Sequence, residues 1–442
     1  MRILISAGEA SGEMYGAQLI EALRAAHERQ PAELRSSGQP GAAVPPPIAA
    51  PIQVSSSQID PPGSALAGTA APGGAADAKS RLDFFGVGGG RMRAAGCDTV
   101  VDAKDLAVVG ITEILSQLPK IYGLYQRLIQ EADRRKLDLA IVIDSPAFNW
   151  RVARQMKRRG IPTVYYVAPQ FWAWRQGRVR LLRDYIDKAL VIFPFEEQFY
   201  RERGVDATFV GHPLADLPPP SIERSEYAQQ FALNQAKSWV TLMPGSRIKE
   251  VRMNLPTILE SAEQLGSDYE YLLPLAPTLD RSFLLSLIGE KKVTLVPEAR
   301  PALWHSRAAI VASGTATVEA AIMNTPFVMV YAVSSLTYLL GKPRVKVPHF
   351  AMVNLIAGEE VVPELVQHDF TPANVIARLR EILPDGPARE RMLKGLARVR
   401  ALLRAPVTKS GAAQRPEDRA AEIILSLRPK SVGSREPDTG SR

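Results

Sequence analysis

Short apolar runs, each ended by glycine, proline or an acid and followed by a longer mixed stretch, recur along the 442-residue chain. In the first half these are RILISAG, LDFFGVGG, LDLAIVID, PTVYYV, KALVIFP and DATFVGH. Their continuous rather than alternating hydrophobicity predicts strands covered on both faces. Residues 13–29, 120–136, 149–159 and 196–203 between them read as helices. This alternation predicts a doubly wound parallel sheet. The Pro-rich stretch PLADLPPPS at 213–221 interrupts the pattern. A second series follows: WVTLMPGS, YEYLLPLA, KVTLVPE, AAIVASG and TPFVMVYAV, with helices filling the C-terminal end. The expected architecture is α/β, with two Rossmann-like domains spanning residues 1–212 and 213–428, then a disordered tail over 429–442. In such sheets ligands bind beyond the carboxyl ends of the strands, so the loop after each strand is where chemistry is expected.

One segment breaks the pattern. Between Gln30 and Ser80, 34 of 51 residues are Pro, Gly, Ala or Ser. Such a stretch buries too little surface to offset its ordering entropy, and a disordered insertion is expected there. Over its whole length the chain is 46% hydrophobic and 23% charged, which supports sizeable cores. The lone Cys97 excludes an internal disulfide and a thiolate metal cluster, and the five histidines are too scattered to suggest zinc. No run of 18 apolar residues occurs, and the N-terminal run is too short for a signal peptide, so a cytoplasmic location is expected. Net charge is +8, and residues 151–203 alone carry twelve Lys/Arg against five Asp/Glu. That concentration points to an anionic partner: nucleic acid, anionic lipid or a phosphorylated substrate.

Six strand-end motifs carry candidate chemistry. SAGEASGE, with Glu9 and Glu13, joins the first strand to a helix N-terminus. The second motif, GVGGGR, holds Gly88, Gly89 and Arg91. It fails the dinucleotide spacing and is either a phosphate loop or a glycine turn. Asp144 in DSPAFN ends an apolar strand, where a carboxylate can serve as general base or cap the next helix. In QFWAWRQGRVRLLR, Trp172, Trp174, Arg175, Arg178 and Arg183 combine aromatics with cations, as a lipid interface does, although core aromatics beside a solvated face would look the same. Nucleic acid is disfavoured because no binding-module signature accompanies this stretch. MPGSR offers Gly245, Ser246 and the guanidinium fork of Arg247 to a phosphate. Finally, SGTATVE presents Ser313, Gly314, Thr315 and Thr317 at a helix start, with Glu319 placed to accept from ribose hydroxyls. No P-loop and no D-x-D metal clamp occurs in the chain.

AGEASGE, GVGGGRM, IDSPAFN, FWAWRQGRV, VGHPLAD, MPGSR and SGTATVEAAI, in this order, resemble the lipid-A-disaccharide synthase family. The resemblance runs from Met1 to about Leu427, apart from the insertion. It implies a GT-B glycosyltransferase fold and an inverting transfer. The sugar would pass from UDP-2,3-diacylglucosamine to 2,3-diacylglucosamine 1-phosphate, giving the β-1,6-linked disaccharide 1-phosphate and UDP. It further implies no metal and no organic cofactor, and peripheral attachment to the anionic inner face of the inner membrane; a homodimer is left open. On these grounds Asp144 is the expected base, with Glu9, Glu13 and His212 as rivals. The chain departs from the family's I-D-A-P-D-F-N in having Ala147 for the second acid, and Gly90 stands where Pro is common. Two alternatives are another GT-B enzyme (a peptidoglycan N-acetylglucosaminyltransferase or a UDP-sugar epimerase) and a non-catalytic membrane-bound UDP-sugar sensor.

Overall fold

The computed structural model describes residues 1–8, 10–29, 82–106, 111–174, 176–333, 347–406 and 414–427. The 30–80 insertion and the tail from 428 lie outside these residues. Two all-parallel sheets form the scaffold. The first has seven strands in the order β3-β2-β1-β4-β5-β6-β7: β1 (Arg2–Ala7), β2 (Asp83–Gly88), β3 (Cys97–Asp102), β4 (Leu139–Ile143), β5 (Thr163–Tyr166), β6 (Lys188–Val191) and β7 (Ala207–Phe209). The second has six, in the order β10-β9-β8-β11-β12-β13: β8 (Ser238–Met243), β9 (Tyr269–Pro274), β10 (Thr294–Val296), β11 (Ala308–Ala312), β12 (Phe327–Tyr331) and β13 (Glu364–Val366). The central strands are buried along their whole length, as β4 and β11 illustrate, which is why they read as unbroken apolar runs.

Strand order reverses between β1 and β4 in one sheet and between β8 and β11 in the other. These are the topological switch points, where the loops after neighbouring strands diverge and leave a crevice. Four of the six motifs sit there: Gly8–Glu13 after β1, Asp144–Asn149 after β4, Pro244–Arg247 after β8 and Ser313–Glu319 after β11.

The chain passes between the two units twice, and the crossings touch. His212 N–H donates to the Leu403 carbonyl at 2.7 Å. Gly211, at φ +97°, lies so near the next crossing that an added Cβ would stand 2.6 Å from Ala405 N. Only glycine fits that approach without moving the backbone. The closing helix Pro416–Ser426 packs on the first helix, Ala10–Arg29, rather than on the second sheet with which its position in the chain groups it. Its buried residues, among them Ala420, Ala421 and Ile424, supply the apolar face for that contact.

Candidate active site

Asp144 and Ser145 follow β4 in consecutive left-handed conformations, at φ +47° and +44°. Such backbone is strained for residues with a Cβ and persists only where the surroundings impose it. Asn149, fully buried in the next helix, Pro146–Arg158, imposes it. Its Nδ2 donates to the carbonyls of Ser6 (3.2 Å), Ile143 (2.8 Å) and Asp144 (2.8 Å), while its Oδ1 accepts from Ser6 Oγ at 2.7 Å. Tyr165 on β5 adds a second bond to the Asp144 carbonyl, at 2.6 Å. The turn is thus tied to three neighbouring strands, and Asp144 is left half-buried at the crevice. The β1 loop runs so close that a Cβ on Gly8 would meet Ser145 Oγ at 2.6 Å.

Of the rival bases, Glu9 lies outside the described residues. Glu13 is already engaged: its Oε1 accepts from Arg91 N–H at 2.7 Å, at the start of the short helix Gly90–Ala94. In the turn read as a phosphate loop or a glycine turn, beside Gly88 and Gly89, the protein's own carboxylate thus occupies Arg91 N–H. His212 is fully buried, with Nδ1 accepting from Leu214 N–H at 3.2 Å and Nε2 without a partner. Burial drives its pKa down to about 3. With Nδ1 occupied and the ring buried, no lone pair of His212 is open to an acceptor hydroxyl.

At the second switch point, Asn254 holds the turn after β8 by donating to the Pro244 carbonyl at 3.0 Å and accepting from Ala332 N–H at 3.0 Å. Gly245 takes φ +119°. The exposed Arg247 guanidinium pairs with Glu250 at 2.7 Å, and the other oxygen of that carboxylate accepts from Ser246 N–H at 3.3 Å. Glu250 thus sits where the oxygens of an incoming phosphate would lie. Beyond β11, the Ser313 hydroxyl donates to the Phe350 carbonyl and that of Thr317 to Gly314, both main-chain ties. Gly314 and the exposed Thr315 remain at the positive start of the helix Thr315–Ile322. Glu319 lies one turn inside. Desolvation pushes its carboxyl up, and the Arg300 guanidinium partly offsets this.

The aromatic–arginine patch needs correction at its centre. Trp172 is buried, its Nε1–H donating at 2.8 Å to Glu196 Oε1 and its ring lying edge-on to Phe195 at 4.9 Å. It is a core residue and cannot reach lipid. Trp174 ends the short helix Phe171–Trp174, and Arg175 lies outside the described residues. Arg178 and Arg183 are exposed, Arg183 pairing with Asp184 at 3.2 Å. Large exposed apolar side chains occur instead on the helix Ile111–Arg135, where Leu118 is 50% and Tyr122 62% exposed. Tyr125, one turn on, packs edge-on against Phe148 of the Asp144 turn, at 6.1 Å.

Among the described residues, no helix is long and apolar enough to cross a membrane, and no group of three or more His, Cys, Asp or Glu could hold a metal ion. The roles of Asn149, Tyr165 and Glu250 escape a reading by motif. Asn149 stands inside IDSPAFN, but nothing in its spacing shows that it reaches back to β1.

Solved structures with the same arrangement of two sheets include UDP-GlcNAc 2-epimerase from Neisseria meningitidis bound to UDP-GlcNAc (TM-score 0.55, 11% identity, covering 96% of this chain and 98% of that one). Another is the calicheamicin glycosyltransferase CalG4 (TM-score 0.51, 14% identity, covering 96% and 97%). The fold is therefore the GT-B fold shared by glycosyltransferases and such epimerases. The family model described as lipid-A-disaccharide synthetase matches residues 72–411. The chain is 48% identical over 431 residues to the lipid-A-disaccharide synthase of Koribacter versatilis (strain Ellin345), covering 97% of this chain and 98% of that protein. With that of Myxococcus xanthus (strain DK1622) it shares 38% over 434 residues, covering 97% and 98%. The chain belongs to the lipid-A-disaccharide synthase family. It is a glycosyltransferase of lipid A biosynthesis, and its substrates are a UDP-sugar and a lipid acceptor.

Proposed function

We propose that the chain transfers 2,3-diacylglucosamine from UDP to the 6-hydroxyl of 2,3-diacylglucosamine 1-phosphate, with inversion at the anomeric carbon. The observation that carries this reading is the placing of an acid, Asp144, at one switch point and of Arg247 and Glu319 beside the other. In this reading residues 1–212 hold the acceptor and the second unit holds UDP. The diphosphate displaces Glu250 from Arg247 and Ser246 N–H and rests against the helix start at Gly314 and Thr315, while Glu319 accepts from the ribose hydroxyls. Asp144 takes the proton of the acceptor hydroxyl as its oxygen bonds to the anomeric carbon. The glycosidic C–O bond breaks, and its electron pair leaves with the β-phosphate of UDP. Positive groups and a helix dipole carry that charge, so no divalent ion is required.

The acylated substrates reside in a membrane, and we propose that the enzyme docks peripherally on the anionic inner face of the inner membrane. Leu118 and Tyr122 would enter the interface, and Arg178 and Arg183 would meet lipid phosphates. From there, Tyr125 and Phe148 mark an apolar path toward Asp144.

UDP release from UDP-2,3-diacylglucosamine, measured with and without acceptor and in the presence of EDTA, tests the assignment. Acceptor-dependent release that survives EDTA is expected. Release without acceptor, or none with the diacylated pair, overturns the substrate assignment, and a loss that Mg²⁺ restores overturns the metal-free one. Binding to anionic vesicles should weaken with salt and in Leu118→Ser/Tyr122→Ser; salt-insensitive binding that this variant leaves unchanged overturns the docking face.

A further inference from the structure

Beyond Tyr331, the chain leaving β12 outruns both neighbouring strands. Its pairing with β13 ends at Tyr331–Val366. On the other side β11 ends at Ala312, and Ser313 N–H donates to the Val330 carbonyl at 3.0 Å. Side-chain amides hold the next two residues. Ala332 N–H donates to Asn254 Oδ1 at 3.0 Å. Val333 N–H donates to Gln367 Oε1 at 2.7 Å, and the Val333 carbonyl accepts from Gln367 Nε2 at 3.0 Å. One primary amide thus donates and accepts as a strand peptide would, and carries the ladder past the end of β13.

Gln367 makes this contact from left-handed backbone, at φ +54°. A turn that only ended β13 would be served better by glycine or asparagine, which tolerate this region. Strained backbone persists where its surroundings impose it, and it concentrates at functional sites. The contacts of Gln367 lead to one. Asn254, which holds Ala332 beside Val333, also donates to the Pro244 carbonyl at 3.0 Å. Pro244 opens the turn that presents Ser246 N–H and Arg247 at the second switch point. Each link from Gln367 to that turn is therefore a hydrogen bond or a step along the chain.

We propose that Gln367 is a positioning residue for the sugar donor: its amide fixes the end of β12 and, through Asn254, the turn that takes the diphosphate. This rests on the reading of Ser246 and Arg247 as diphosphate contacts. Without the amide, Val333 loses both of these bonds, the tie between Ala332 and Asn254 loosens, and the turn is no longer held in one orientation. The loss falls on the donor, because the acceptor is read to bind in the other unit.

The test compares Gln367→Gly, Gln367→Asn and Arg247→Ala in UDP-release kinetics with the diacylated donor and acceptor. UDP serves as product inhibitor, and thermal unfolding is followed in parallel. Glycine and asparagine both relax the backbone at this position, and neither reaches Val333 as glutamine does. Both Gln367 variants should raise the donor KM and the UDP inhibition constant about tenfold while the acceptor KM and the melting temperature hold. In the Arg247→Ala background, Gln367→Gly should cost less UDP affinity than it does alone, since both act on one turn. A UDP inhibition constant at the parent value in both Gln367 variants, with Arg247→Ala impaired, overturns the inference alone. Fully additive losses overturn it too. So does a lower melting temperature or an equal rise in acceptor KM, because the amide then braces the fold as a whole. Parent UDP affinity in Arg247→Ala removes the site assignment itself, and the inference with it.

Discussion

Asn149 donates from Nδ2 to the main-chain carbonyl of Asp144 at 2.8 Å, five positions back, and through the same amide to the ends of β1 and β4. The acid proposed as base thus stands on a turn whose strained geometry is set by a buried side chain in the following helix. Asn149→Ala leaves three carbonyls and the Ser6 hydroxyl short of a partner. We expect a loss of about 2–3 kcal/mol in urea unfolding and a fall in kcat larger than any change in KM. A variant within about 0.5 kcal/mol of the parent would show that the turn holds itself.

Asp144→Asn preserves shape and most hydrogen bonding but cannot take a proton. A positioned base typically contributes 10²–10⁴-fold, so kcat should fall at least about a hundredfold while UDP affinity and the unfolding midpoint are unchanged. Near-parent turnover would reduce Asp144 to a turn residue. Glu13 is bound to Arg91 N–H and His212 is buried with its pKa lowered to about 3, so Glu9 would be the next acid to test.

Arg247 and Glu250 make opposite predictions at the donor site. Arg247→Ala removes a charge-assisted contact to the diphosphate, and UDP affinity in calorimetry should fall about tenfold or more. Glu250→Gln removes the carboxylate that occupies Ser246 N–H and the Arg247 guanidinium. UDP binding should hold or tighten. Weakened binding in Glu250→Gln would mean that the pair orients Arg247 rather than competing with the ligand.

Glu196 makes stability depend on pH. It is completely buried and accepts from Trp172, Ile192 and Phe193, but desolvation outweighs these bonds and raises its pKa to about 7, against the carboxylate value of 4.5. Below about 4.5 the group is protonated in both states and costs nothing. Between about 4.5 and 7 the unfolded chain ionises first, so the folded state holds the extra proton and stability declines as pH rises. The decline amounts to about 3 kcal/mol and is complete above pH 7. Glu196→Gln cannot titrate, so its stability relative to the parent should rise through this window in paired denaturation curves at pH 4.5, 6 and 8. A constant difference would mean that Glu196 titrates at its ordinary value.

The apolar runs ending in Ala7, Ile143, Met243 and Ala312 mark the two pairs of central strands and, with them, both switch points. A strand covered on both faces needs hydrophobic residues at every position, and no other element of that length does. The edge strands β3 (CDTVVD) and β13 (ELV) escaped the pattern, because one is half-polar and the other three residues long. The motifs SAGEASGE, DSPAFN, MPGSR and SGTATVE were legible because short strand-to-helix turns have strict local needs for small, capping or helix-starting residues. Their partners were not legible. Whether Trp172 meets lipid or Glu196, whether Glu13 is poised or spent on Arg91, and that Asn149 reaches β1 across 143 positions all depend on which segments lie alongside. Residue type and spacing determine local backbone and burial tendency within a few turns. The partner of a polar side chain is decided by long-range packing, which brings one buried donor to one acceptor wherever in the chain that acceptor lies.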